Sequence, residues 1–275
     1  MMHFIKILPI IIVTGLVGLI VSCEDDQTTN PLDEVPTMPS QSTMLIDFSE
    51  FPDTTMVKMV DFPLATKMNW SWAAVNVAVW NSILTLNLVI PAAAFREAFN
   101  HQPTLQTDGS WLWQYDISVE EENYIAKLYG KTVTEGVEWK MLLSKSGYYT
   151  DFEWFTGLSN LPATEGKWTL NKEPESPSPY LSIEWNRNPQ EETADVKYTL
   201  LSPNLPQDGS FIHYGKTNEV PLNRFYQIFK AEDDNLIDIK WSYESHFGRV
   251  KDSVHFKDDS WHCWDEKLND TNCTE

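Results

Sequence analysis

Three cysteines carry the most specific chemistry in this chain. Cys263 and Cys273 stand close together near the C-terminus, and in an oxidising compartment they pair as a disulfide around a short loop. His262 beside Cys263 brings imidazole next to thiolate, a zinc-like combination, but no further ligand stands at a recognisable spacing. The other histidines beyond the leader, His101, His213, His246 and His255, are scattered. No serine sits in a Gly-x-Ser-x-Gly elbow and no histidine pair has helical ligand spacing, so no catalytic residue, metal or cofactor is assigned. A glycosidase-type carboxylate pair is made in space rather than in sequence, and Asp151 or Glu153 facing Glu184 is one arrangement that strands could create. The acidic runs at Glu120–Glu122, Glu191–Glu192, Glu232–Asp234 and Asp258–Asp259 lack the ligand spacing of a calcium loop and read as solvated turn tips.

Twelve tryptophans are many for 275 residues. Trp111, Trp113, Trp139, Trp154, Trp185 and Trp241 fall in strand-like runs, often on the face expected to point inward. Such rings could line a hydrophobic cavity or stack on sugars, and they also simply fill a wide core, which is the favoured reading.

Between Met68 and Phe95 there is no Asp, Glu, Lys or Arg, in a chain otherwise dotted with charge. Trp72, Val75, Val79 and Ile83 recur at helical spacing while the other faces are apolar too, which predicts a buried helix. Pro91 and the alanines after it predict a second short helix, from Pro91 to Phe99. Ile83 to Ile90 alternates as a strand would, and helix is preferred there. A transmembrane span is the competing reading, set against by Asn69, Asn76, Asn81, Asn87 and Pro91, which are costly in lipid.

After Gly109 the pattern changes to period two. Trp111 to Ile117 is followed by runs at Tyr124–Val133, Val137–Ser144, Tyr148–Leu158, Lys167–Asn171, Tyr180–Asn186, Val196–Leu201, Phe211–Lys216, Arg224–Lys230 and Leu236–Tyr243. A short strand is also expected at Met44–Phe48. Tight turns such as Glu135-Gly136, Ser146-Gly147 and Asp208-Gly209 make neighbouring runs antiparallel. The expected fold is therefore mainly β with some α: a curved meander of about ten strands, half-barrel or barrel, packed around the apolar helical segment near 70–100.

The first 22 residues have Lys6, an apolar run and then Ile20-Val21-Ser22-Cys23, the pattern of a secretory leader. These last four residues resemble the lipobox of bacterial lipoproteins, which implies lipidation of Cys23 and attachment to a membrane. Glu24-Asp25-Asp26 is similar to the acidic patch that sends lipoproteins of the Bacteroidota to the outer face of the outer membrane. Residues 23–42, rich in Thr, Pro, Ser and Gln, read as a flexible tether, leaving 43–275 as one β-rich domain. In plan, that domain resembles the half-barrel lipoproteins that carry or receive lipids in the bacterial envelope, a likeness of pattern alone.

The net charge of −20 argues against nucleic acid as a partner and against docking on anionic lipid by charge. The expected function is non-catalytic: a lipid-anchored protein of the cell envelope, holding a hydrophobic small molecule or lipid in its half-barrel. A surface module for glycan or protein, and a structural role with no ligand, are the alternatives.

Overall fold

The computed structural model describes residues 34–45, 47–52 and 66–273. The leader, Cys23 and the acidic patch lie outside these residues. All ten expected strands are present within one antiparallel sheet whose spatial order is its sequence order. They are β2 (Trp111–Val119), β3 (Glu122–Val133), β4 (Gly136–Lys145), β5 (Tyr149–Ser159), β6 (Glu165–Asn171), β7 (Pro179–Asn188), β8 (Thr193–Leu200), β9 (Phe211–Lys216), β10 (Arg224–Lys230) and β11 (Asn235–Trp241). Four short strands extend the ends: β1 (Thr104–Leu105), β12 (Gly248–Lys251), β13 (His262–Trp264) and β14 (Asp270–Thr271). The count is 14 rather than about ten, and the sheet stays open, since β1 and β14 do not pair with each other. These edge strands are two residues long, which leaves little unpaired backbone for another chain to add to.

The hairpins follow from their turn chemistry. Glu120 and Glu121 form the β2–β3 tip with φ of 51° and 68°, so that acidic run is an exposed turn. Gly136 has φ 142°, and a Cβ there would lie 2.0 Å from the Ser159 carbonyl oxygen, so only glycine fits.

Alternation then sorts each strand. On β2, Trp113, Tyr115, Ile117 and Val119 are buried while Gln114, Asp116 and Ser118 are exposed. A repeated device supports the inner face: a tryptophan lies across a glycine directly opposite on the neighbouring strand. Trp139 faces Gly130, Trp168 faces Gly157, Trp185 faces Gly166 and Trp264 faces Gly248. A Cβ on these glycines would approach the indole within 2.2–2.7 Å. Bare glycine is the space into which each ring fits.

Two segments cover this face. The first is a strap, residues 34–52. Pro36 sits over Gly130, the Thr43 hydroxyl accepts from Trp168 Nε1 at 3.1 Å, and the Glu50 carbonyl accepts from Trp241 Nε1 at 3.3 Å. Met44, Phe48 and Phe51 are buried, each contributing about 1.5–3 kcal/mol by leaving water. Pro36 and Pro39 are buried as well, so the packed domain begins before residue 43 and includes the end of the expected tether. The strand expected at Met44–Phe48 does not form; Gln41–Thr43 and Phe48–Glu50 are 3-10 turns, capped by the Ser40 and Asp47 side chains.

The second cover is α1 (Met68–Glu97), one continuous helix in place of the expected two. Trp80, Leu84, Leu88, Ala92 and Phe95 form its buried stripe, whereas Leu86 is 79% exposed. The alternation of Leu84, Leu86 and Leu88 was thus a helix seen every second residue. Pro91 cannot donate to the carbonyl four residues back, and that orphaned Asn87 oxygen accepts instead from the Tyr180 hydroxyl at 3.2 Å. Lys67 offers no side-chain cap; Asp270 of β14 accepts from Met68 N and Asn69 N at 3.1 and 2.9 Å. Asn69 Nδ2 also donates to the Cys263 carbonyl, and Cys263 is bonded to Cys273, so the disulfide loop holds the start of α1.

Of the asparagines that argued against a membrane, Asn76 and Asn87 are satisfied locally, donating to carbonyls four residues back. Residues Met68–Asn100 are long and apolar enough to span a bilayer, yet Ala73, Val77, Leu84, Leu88 and Phe95 are wholly buried against the rest of the protein. Near its start, Trp72 donates to Asp252, which also accepts from Asn235 and caps α2 (Ser253–Phe256).

Gly157→Ala should test the tryptophan-on-glycine packing. It is expected to lower stability by about 1–3 kcal/mol, because the new Cβ meets Trp168 at 2.2 Å and the Lys167 carbonyl at 2.7 Å. Chemical denaturation followed by tryptophan fluorescence reads this; an unchanged midpoint would show that the ring is free to move aside.

Candidate functional site

Strap and helix together occupy the inner face, so the six tryptophans proposed as ligand-lining meet different fates. Trp113, Trp139 and Trp241 are core: Trp113 packs on Trp139, Trp139 Nε1 donates to Ser159, and Trp241 stacks on Tyr226 at 5.0 Å. Trp154 is buried in a cluster with Tyr149 and Phe152. Trp111 is half-buried, with its Nε1 unpartnered. Only Trp185 joins core to a pocket on the inner face.

That pocket, about 260 Å³, lies where the strap crosses the ends of β7–β10. Leu45, Trp185, Ala194 and Val196 give it an apolar wall, and Glu50, Arg187, Tyr214, Lys216 and Arg224 a charged and polar one. Trp185 is 5% exposed and its Nε1–H is buried without an acceptor. A buried donor left unpaired costs about 1–3 kcal/mol, and Trp185 shares this state with Ser182, Tyr226, Trp111 and Arg249 but is the one of them that lines the strap pocket.

Glu50 is the strap's contribution. Its Oε2 accepts from Arg224 Nε at 2.9 Å and from the Tyr214 hydroxyl. Arg224 is largely buried, donates to the Asn223 carbonyl through Nη1, and stacks over the Tyr243 ring at 4.7 Å. Burial, reinforced by the Glu50 hydrogen bond and charge, pushes the Tyr214 hydroxyl well above its ordinary value. Tyr214 therefore stays protonated and acts as a donor. The trio is suited to holding the strap on the sheet and shaping a binding surface, and a protonated tyrosine of this kind is a poor nucleophile.

Elsewhere the residues of possible chemistry are dispersed. Asp151 is bound by Lys127 at 2.9 Å and Glu184 by Lys167 at 3.0 Å. Through the β5–β6–β7 register, Glu184 lies level with Leu158, seven residues from Asp151 and five from Glu153 along the strand, or about 23 and 17 Å. The carboxylate pair considered from sequence is not formed there. His262 shares a hydrogen bond with Asp258 and stacks on Phe256 at 3.7 Å. Among the described residues no three His, Cys, Asp or Glu side chains converge as metal ligands.

A second depression, about 930 Å³ and open, lies along the outer face of β2–β5. Tyr148 stands 74% exposed at its end, with Lys145 Nζ 4.5 Å from the ring centre. Lys127, Ser144 and Asp151 form a hydrogen-bonded set beside it, with Asp151 held at φ 50°. Glu50, Arg187, Tyr214, Lys216 and Arg224 carried no sequence signal as a site: Glu50 and Arg224 are 174 positions apart and meet only through the strap.

The chain matches none of the protein families, curated proteins or solved structures with which it was compared.

Glu50→Gln should loosen the strap. Replacing one partner of a largely buried, charge-assisted pair is expected to cost about 2 kcal/mol. A double-mutant cycle with Arg224→Gln should return a coupling energy of about 1 kcal/mol or more. Additive effects of the two substitutions would show that the pair does not hold the strap.

Proposed function

We propose that the protein is an exported, lipid-anchored binding protein of the cell envelope that holds a small, largely apolar molecule at the strap pocket. Support for the anchor is the leader pattern ending at Cys23 and the Pro- and Thr-rich stretch that follows it. The observation that carries the ligand reading is the pocket itself: an apolar wall of Leu45, Trp185, Ala194 and Val196 beside an unpartnered buried indole N–H. Its volume of about 260 Å³ is just below the range of about 300–1,000 Å³ for drug-sized ligands, so the occupant is a single chain or ring and not a whole phospholipid. α1 packs on the inner face as expected and the strap covers it further, so in this reading the ligand sits at the rim beside the strap.

The runner-up is a surface module for glycan, favoured by the exposed Tyr148 beside the Lys127–Asp151 set on the outer face. That reading expects glycan-array binding that Tyr148→Ala abolishes and that changes in the strap pocket leave intact.

Native mass spectrometry before and after organic extraction tests the principal reading. An added mass that extraction removes, and that Ala194→Trp eliminates by filling the pocket at an exposed position, is the expected result. Absence of any extractable mass together with no binding of added short-chain amphiphiles would overturn it.

A further inference from the structure

We infer that the strap pocket selects an anion, with a carboxylate head seated over Ala194 between Arg187 and Lys216; this rests on the pocket being a ligand site. Register puts the relevant residues in one row. Arg187 of β7 is directly opposite Ala194 of β8, Ala194 is opposite Lys216 of β9, and Lys216 is opposite Arg224 of β10. Directly paired residues share a face, so three cations and one alanine line the same edge of the inner face. Neighbouring strands are about 4.8 Å apart, which puts Arg187 and Lys216 about 10 Å apart at the backbone with only a methyl group between them. Like charges directly opposite one another, as at Lys216 and Arg224, destabilise a sheet. Glu50 offsets one of the three.

The carboxylates of the lining are each engaged through one oxygen, whereas two of its cations lack a close partner. Glu50 is taken by Arg224 and Tyr214, Asp47 Oδ1 accepts from the Ser49 backbone and hydroxyl, and Asp195 Oδ1 is bonded to His213. By contrast, the Arg187 side chain has no hydrogen-bond or ion-pair partner among the described residues. Lys216 has only Glu192, at 3.8 Å, whose side chain is 83% exposed. Trp185 Nε1–H adds a buried donor without an acceptor. A carboxylate can accept from an arginine fork and an ammonium together, which a hydroxyl or an amine cannot do. Its apolar tail would then lie along Leu45, Trp185 and Val196.

The lining balances three cations, Arg187, Lys216 and Arg224, against three carboxylates, Asp47, Glu50 and Asp195, in a chain of net charge −20. The overall field repels an approaching anion, so selectivity has to come from contacts inside the pocket, where screening over a Debye length of about 8 Å matters least.

Calorimetric titration of the full chain with octanoate and with 1-octanol, both below aggregation, tests the assignment. Octanoate is expected to bind at least tenfold more tightly. Arg187→Gln combined with Lys216→Gln, in a variant shown to be folded by its thermal transition, should erase that preference by lowering octanoate affinity at least tenfold relative to octanol. Equal affinity for the two probes, or a preference that survives both substitutions, would overturn the carboxylate assignment and leave the apolar pocket standing. Binding of neither probe would overturn both.

Discussion

An open antiparallel sheet of 14 strands has one broad apolar face that it cannot bury by closing on itself, and the molecule is built around covering that face. A barrel would solve the problem through hydrogen bonds between its first and last strands. Here the solution is made of side chains. Tryptophans resting on cross-strand glycines raise a ridge of rings across the sheet, and the strap lies on that ridge. The helix α1 returns in the opposite sense, from Cys263 and Asp270 at one end to Tyr115 and Trp168 at the other.

Covering a sheet with irregular chain and an uncharged helix leaves backbone groups to satisfy, and long-range partners satisfy them. Tyr180 accommodates the carbonyl that Pro91 abandons, Asp270 caps the helix that Lys67 does not, and the Pro52 carbonyl accepts from Trp70. The first two join α1 to strands 93 and 202 positions away and the third joins it to the strap, so local order in α1 depends on the sheet being formed. The same dependence accounts for the pocket. Its floor belongs to β7–β10 and its lip to the strap, and Glu50 joins the two through Arg224.

Much of the architecture was legible in the sequence because it depends on local periodicity. Alternating burial predicted ten strands, and the tight turns between them predicted antiparallel neighbours; all ten pair in sequence order. The absence of charge from Met68 to Phe95 marked the helix, but the expectation that it is buried on every face is corrected: one stripe is buried while Met68, Val79, Leu86 and Val89 are exposed. Cys263 and Cys273 are joined, as their position suggested.

What only the tertiary structure decided is everything that rests on contacts between distant residues. A single helix or two was settled by Tyr180, which lets Pro91 sit inside a continuous α1. The strap's proline-rich start looked like linker because Pro36 and Pro39 find their cover on a sheet formed by residues nearly a hundred positions later. Trp113, Trp139, Trp154 and Trp241 became core rather than lining because neighbouring rings, the strap and α1 cover them, and those neighbours are set by pairing register and distant segments, which are not local properties. The pocket residues Glu50, Arg187, Tyr214, Lys216 and Arg224 have no motif and no spacing in common; strand register and one buried ion pair bring them together. Periodicity determines which face of each element is apolar, whereas a site is a coincidence of faces, and that coincidence exists only once the chain has folded.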